Sequence, residues 1–323
     1  MVKQPFQRLL HGVLGSFYYK RAGGLVVNHK LVKLDAGLYL VATPLGSARD
    51  ITLRALDVLA SADILVAEDT RNTRKLLDIH GISLGKRQIS AYHEHSAASR
   101  RSQFLSHIAN GHSVAYVSDA GTPLIADPGY QLVKAARLAK LAVFSAPGPA
   151  ACIAALSVAG LPTDQFHFVG FLPPQPAGRQ KHLKGLMLLS ATVVIYESPK
   201  RLNELLADIM TIGGSGRQVA VCRELTKKFE NVQIGKVKEL IDFYKKKPAK
   251  GEIVVLIAAD KEVKVDTLQL KNALQSAMRT LRIKDAADAV AGAYGQPRRD
   301  IYQIALQIQN EEQTNQKDLK NKR

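Results

Sequence analysis

HSVAYVSDAGTPLIADPGY, His112–Tyr130, is the stretch that decides the reading of this chain. An apolar run of strand length stops abruptly at Ser118-Asp119, and a second aspartate, Asp127, follows in the same short loop. Pro123 and Pro128 stiffen that loop, while Gly121 and Gly129 give it freedom of φ. A buried strand that ends in a stiff, carboxylate-bearing turn suits a site gripping a polar small molecule at the end of a sheet. The same composition also serves ordinary surface turns.

On both sides of this stretch, short apolar runs alternate with helical periodicity. GLYLVA, ADILVA, RQISAY, HSVAYV and LAVFSA read as strands. Between them lie a helix capped near Asp50 or Thr52, a helix over Thr70–His80 stopped by Gly81, one over Ser99–Asn110 before Gly111, and one through QLVKAARLA. Such an order predicts a mainly parallel sheet with helices on both faces. Past PGPAACIAALSVAGLP the rhythm changes. FHFVGF, ATVVIYE, RQVAVCREL, NVQIGK and GEIVVLIA are strand-like, with helices over Lys200–Ile212 and Val237–Tyr244. Two adjacent strands with no helix between them imply a mixed sheet. Three amphipathic stretches follow, near Thr267–Arg279, Ile283–Ala293 and Arg299–Gln309. The expected division is a flexible basic extension over 1–36, α/β domains over 37–160 and 161–260, a helical segment over 261–310 and a polar tail that frays.

The 323 residues carry a net charge of +17 and are 46% hydrophobic, so sizeable cores can form, and partners bearing phosphate are favoured over acidic ones. Residues 1–34 hold six bases and no acid. His11 and Gly12 interrupt their only apolar segment, which argues against a secretory signal. Cys152 and Cys222 are the only cysteines, which points away from a disulfide framework and toward a reducing cytoplasm. Leu141–Thr163 is uncharged and long enough for a bilayer, but Pro147, Gly148 and Pro149 make it a strand, a turn and a helix, so no stable membrane association is expected.

Val41–Asp50, VATPLGSARD, stands where a dinucleotide fold places its glycine-rich loop, yet it has one glycine and a proline and cannot cradle a pyrophosphate. In AEDTRNTRKLL, Glu68 and Asp69 precede a helix, where capping accounts for one of them. Arg71 and Arg74, three apart, share a helix face. YHEH, Tyr92–His95, has a His-Glu-His spacing with no third ligand in view, so a general base or polar rim is expected rather than a metal site.

Taken in order, VATPLGSARDITLRAL, AEDTRNTRKLL, YHEH, SDAGTPLIADPGY, PGPAA, GFLP, ESPKRL and CRELTKKFE resemble the bacterial small-subunit ribosomal RNA methyltransferase I family of the tetrapyrrole methylase superfamily. The resemblance covers about Gly37–Ala258, and KDAADAVAGAYGQPRRDIYQIAL is similar to that family's helical end. It implies two α/β domains with a ligand cleft between them, a homodimer, and S-adenosylmethionine as methyl donor. It places the donor against Pro44, Asp119, Ala120, Gly121, Thr122, Ile125, Ala150 and Ala151, with Tyr196, Glu197, Leu225 and Ile253 as the other wall. The implied reaction is methyl transfer to a cytidine 2′-hydroxyl in the decoding region of 16S RNA within the small ribosomal subunit. His93, Glu94 and Asp69 are the candidates for its proton. Arg71, Arg74, Arg179, Lys181, Lys184, Lys200 and Arg201 are the candidate phosphate contacts. Ser47-Ala48-Arg49 and Ala126 depart from the family pattern, the first adding a cation and the second removing a hydroxyl. Methylation of a tetrapyrrole ring and non-catalytic ribosome binding are the rival readings; the charge and the helical end favour RNA.

Overall fold

A computed structural model describes residues 28–93, 97–259 and 267–321. The chain forms two compact units, one of residues up to Pro44 with Ala48–Pro149, the other of Leu45–Ser47 with everything from Ala150 onward.

The first unit holds strands β1 (Gly37–Val41), β2 (Ile64–Ala67), β3 (Ile89–Ala91), β4 (Ser113–Val117) and β5 (Val143–Ala146), and helices α1 (Leu53–Ser61), α2 (Thr70–Ile79), α3 (Ala98–Ala109) and α4 (Tyr130–Leu138). Its sheet is parallel throughout in the order β3-β2-β4-β1-β5. Side chains alternate along β4: Ala115 and Val117 join Leu56 and Leu59 of α1 and Leu77 of α2. Val114 and Tyr116 join Phe104 of α3 and Leu132 of α4 on the other face. Each fully buried leucine in these layers contributes about 1.5–3 kcal/mol. Thr52 caps α1 through its hydroxyl on the Ala55 amide (3.1 Å), and Asp69 caps α2 on the Arg71 amide (2.8 Å). The expectation of a free extension as far as residue 36 needs correction for its described part. The Lys30 amide donates to Asp57 (2.6 Å) and the Val32 amide to Ser61 (2.9 Å), which ties this segment to α1.

The second unit opens with α5 (Ala151–Val158), then β6 (Phe166–Phe171), α6 (Pro176–Leu186), β7 (Thr192–Glu197), α7 (Leu202–Gly213), β8 (Gln218–Arg223), β9 (Asn231–Lys236), α8 (Val237–Lys246) and β10 (Ile253–Ile257). The sheet order is β6-β7-β10-β8-β9; β6 and β7 are parallel and the remaining pairs antiparallel, giving the expected mixed sheet. One face carries α6, α7 and α8, packing Leu183, Leu205 and Leu240 against Val193, Ile195 and Val255. The other carries α5, whose Cys152, Ala155 and Leu156 lie on Val194, Cys222 and Leu256. That burial explains why the unit begins near Ala150, earlier than the expected Leu161.

α9 (Thr267–Met278), α10 (Ile283–Tyr294) and α11 (Arg298–Asn321) enclose a core of their own around Leu274, Ala287, Val290 and Ile301. α11 continues through the stretch expected to fray, since NEEQTNQKDLKN is rich in Glu, Gln and Lys and free of Gly and Pro.

α6 was not legible as a helix, because only Leu183 and Arg179 on it are buried. Arg179 is 2% exposed; its Nε donates to Asp208 (2.6 Å) and its Nη1 to Glu204 (3.1 Å), both on α7. The phosphate-contact expectation for Arg179 is therefore corrected: its guanidinium is consumed in joining two helices. Arg179→Ala, which strands Asp208, should lower unfolding free energy by about 3–5 kcal/mol in urea titrations, whereas Lys181→Ala on the exposed face of the same helix should change it little.

Candidate active site

The winding of the first sheet reverses between its neighbouring strands β1 and β4. β1 leads into α1 on one face, and β4 leads into α4 on the other. A crevice at the carboxyl ends of such a strand pair is the usual ligand position in open α/β sheets. Here it is laced by an antiparallel bridge. The Thr43 amide donates to the Gly121 carbonyl (2.9 Å), and the Gly121 amide to that of Thr43 (3.0 Å). The Thr43 hydroxyl donates to the Ser118 carbonyl (3.1 Å), Ser118 Oγ to the Gly121 carbonyl (2.6 Å), and Thr122 Oγ1 to the Pro149 carbonyl (2.8 Å).

Residues 118–129 are held in a strained path. Gly121 and Gly129 have positive φ, and so do Leu124 (74°) and Ala126 (60°), where a side chain is disfavoured. Gly129, at φ 120°, lies so close to the Tyr116 ring that a Cβ would come within 2.7 Å of it. The Asp119 amide donates to the Glu68 carboxylate, while the Ala120 amide has no protein acceptor among the described residues. The arrangement therefore presents the free Ala120 amide next to small side chains, with the Asp119 carboxylate beside it.

The strand ends collect acids. Glu68 and Asp69 follow β2, Asp119 follows β4, and Asp127 lies in the loop; the Asp69 amide donates to Asp119 Oδ1 (3.0 Å). Burial first, then Glu68 and Asp119, pushes the Asp127 carboxyl up to about 7. Glu68 is raised chiefly by burial, then by Asp119. Burial, with Glu68 and Asp127, likewise raises the Tyr116 hydroxyl, which is buried with no hydrogen-bond partner among the described residues. Asp69 behaves oppositely. Its hydrogen bonds to the Arg71 side chain and amide hold it at about 2, which leaves it a weak acceptor for a proton. His93 is exposed just beyond β3 and lies within electrostatic reach of Glu68. Glu94 lies outside the described residues. No group of three His, Cys, Asp or Glu side chains among the described residues is placed to hold a metal ion.

In the second unit the expected donor wall divides. Ala150, Ala151, Tyr196 and Leu225 belong to the face covered by α5, where the Cys152 amide donates to the Tyr196 hydroxyl (3.1 Å). Glu197 and Ile253 pair across neighbouring strands with their side chains on the opposite face. Glu197 is 3% exposed; its Oε1 accepts from the Ser198 amide (2.7 Å) and from Arg201 (2.8 Å), while Oε2 has no partner among the described residues. Only the backbone of Glu197 and Ile253 is free of this packing role. Pro44 is half-buried directly after Thr43, and Ile125 is exposed in the strained loop.

Of the expected phosphate contacts, Lys181, Lys184, Lys200, Arg71 and Arg74 are exposed, and Arg201 is mostly covered beside Glu197. Arg71, Arg74 and Lys75 border an open depression of about 340 Å³ on α2. Tyr116, Glu68 and Asp127 were missing from the candidates drawn from sequence. The alternation of β4 marks Tyr116 as inward-facing, but nothing local shows three acids converging on it.

Residues 37–241 match the family model of the tetrapyrrole (corrin/porphyrin) methylases, and residues 264–309 match that of the RsmI C-terminal HTH domain. The chain is 42% identical over 283 residues to the ribosomal RNA small subunit methyltransferase I of Mesorhizobium japonicum, covering 86% of this chain and 94% of that protein. Against the protein of the same name from Escherichia coli O157:H7, identity is 40% over 278 residues, with 84% and 95% covered. The fold is shared with the uroporphyrin-III-C-methyltransferase of Thermus thermophilus at a TM-score of 0.50 and 21% identity, covering 69% of this chain and 94% of that one. With the reversed winding at β1 and β4 and the strained loop after it, these matches establish that the chain belongs to the tetrapyrrole methylase family, within its ribosomal RNA small subunit methyltransferase I branch.

Proposed function

We propose that this protein transfers a methyl group from S-adenosylmethionine to the 2′-hydroxyl of a cytidine in the decoding region of 16S RNA, in the cytoplasm and as a homodimer. The observation that supports this best is the loop over 118–129. Its residues fit the donor: the free Ala120 amide suits a carboxylate, the Asp119 side chain suits an ammonium or ribose hydroxyl, and small neighbours leave room for a purine. S-adenosylmethionine supplies a methyl group already activated on a sulfonium.

The chain's own task is then alignment, which can lower a barrier by about 7–11 kcal/mol where it is complete. The Thr43–Gly121 bridge and the Ser118 and Thr122 hydroxyls fix the loop before anything binds. A ribose hydroxyl must also lose a proton. Asp127, poised near neutrality, is assigned as first acceptor and His93 as second; such groups contribute about 10²–10⁴ in rate. Lys181, Lys184 and Lys200, with Arg71 and Arg74, are assigned to RNA phosphates.

Labelled donor incubated with small ribosomal subunits, naked 16S RNA or a porphyrinogen tests the assignment. Label in cytidine ribose supports it; label in the porphyrinogen alone, or in nothing, overturns it. Asp119→Ala should abolish donor binding in calorimetry while leaving the thermal midpoint near that of the parent.

Asp127 also predicts a pH dependence. Its folded value of about 7 lies above the roughly 3.9 of an unfolded aspartate, so only the folded state keeps the proton between those values. Stability should fall as pH rises from about 4 to about 7, by on the order of 1–2 kcal/mol once solvent screening of this half-buried group is allowed for. Asp127→Asn should flatten that slope in urea titrations across pH. A third expectation concerns salt. Replacing Lys181, Lys184 and Lys200 with alanine should reduce by about two or three the steepness with which log RNA affinity falls with log salt.

A further inference from the structure

β6 contains a bulge. Phe166, His167 and Phe168 pair in register with Thr192, Val193 and Val194, but Gly170 pairs with Ile195 and Phe171 with Tyr196, leaving Val169 as an extra residue. Without it, Phe168 and Phe171, three apart, would point to opposite faces. The extra residue turns Phe171 to the face of Phe168 and Tyr196, and it requires the left-handed φ of 72° at Gly170. The outcome for Phe171 is exposure: 57% of it meets solvent, while the Leu172 that follows is 2% exposed. The bulge thus brings a large apolar ring into water at the carboxyl end of a strand.

That ring stands in an aromatic row. Tyr196 meets Phe168 edge-on at 4.9 Å between centroids and Phe171 at 5.8 Å. The row is held from two sides. The Cys152 amide donates to the Tyr196 hydroxyl, and Arg201, itself anchored on Glu197, reaches the Leu172 carbonyl with Nη1 (3.4 Å). The second contact sets the loop after β6 against the loop after β7, which carries the exposed Lys200. A solvent-facing aromatic ring at the end of β6, with an exposed lysine on the loop after the neighbouring β7, matches the requirements of single-stranded nucleic acid, where a base stacks and its phosphate meets a positive charge.

We infer that Phe171 is a stacking platform for a nucleobase of the RNA substrate, with Lys200 taking the adjacent phosphate. This rests on the RNA reading of the site and adds to it the residue that orders the strand. The net charge of +17 favours this polyanionic occupant, and the rigid ring meets a base at little cost in side-chain entropy. Phe166, at the other end of the same strand and 44% exposed, is a built-in control.

The test uses the full-length chain and a short single-stranded RNA containing one cytidine next to 2-aminopurine. The parent protein should quench 2-aminopurine emission on binding. Phe171→Ala should remove the quench and raise KM for RNA about tenfold or more, with the thermal midpoint unchanged. Phe171→Tyr should restore both, and Phe166→Ala should behave as the parent. If the parent methylates RNA and Phe171→Ala retains parental KM and quench, the platform is overturned while the methyltransferase reading stands. If the parent transfers label to no RNA, that reading itself fails. If Phe171→Ala halves the mass in sedimentation without altering RNA binding by whatever chains remain, the ring belongs to a chain–chain interface, and the platform is likewise overturned.

Discussion

Two backbone hydrogen bonds between Thr43 and Gly121 carry the geometry on which the first unit's chemistry depends. β1 and β4 are neighbours whose chains depart to opposite faces, so their carboxyl ends would otherwise diverge into independent loops. The bridge joins them one step past the sheet. It leaves the Ala120 amide, just before Gly121, without a protein acceptor among the described residues. A dinucleotide fold reaches a comparable result with glycines and a helix N-terminus. Here prolines, a two-residue bridge and the hydroxyls of Ser118 and Thr122 shape the strand ends, and VATPLGSARD carries no glycine-rich signature.

The acids around that bridge differ in function because they differ in surroundings. Asp69 lies at the start of α2, accepts from an amide and is clasped by Arg71, so its charge is secure. Asp127 has no cationic partner of that kind among the described residues and lies in partial burial among like charges, which pushes its carboxyl up to about 7. The buried Tyr116 hydroxyl beside them adds a polar group with no hydrogen-bond partner among the described residues. Each unsatisfied buried group of this kind costs about 1–3 kcal/mol. Strain at Leu124 and Ala126 adds to that cost. A loop selected for stability alone would shed both, so their joint presence supports a binding role.

Much of this organisation could be read from the residues. The alternation of five apolar runs with helical periods gave the parallel sheet, and NVQIGK following RQVAVCREL without a helix gave the mixed one. The carboxylates and glycines after β4 marked a stiff turn, and the family resemblance, not the composition, singled out Asp119, Gly121 and Thr122. What was hidden depended on partners distant in sequence. Arg179 looked like Lys181 until Asp208 and Glu204 were found beside it. Tyr196 and Glu197 looked like one wall, although adjacent strand residues must face opposite ways. Asp127 needed the burial that only the folded loop creates. α6 lacked an apolar stripe because a buried arginine takes the place of one.

The basic residues illustrate how little formal charge says by itself. Arg179 and Arg201 are tied to carboxylates, and their net field at the surface is small. The lysines differ: Lys181, Lys184 and Lys200 project from an exposed helix face and a loop. Guanidinium groups have a planar fork that suits fixed ion pairs, whereas an ammonium on a flexible stem follows a mobile phosphate. The second unit uses both properties within a few residues. Arg201 immobilises the Leu172 carbonyl and thereby the end of β6, while Lys200 beside it stays free to meet an anion. Rigidity in one cation is what gives the other a defined place to act.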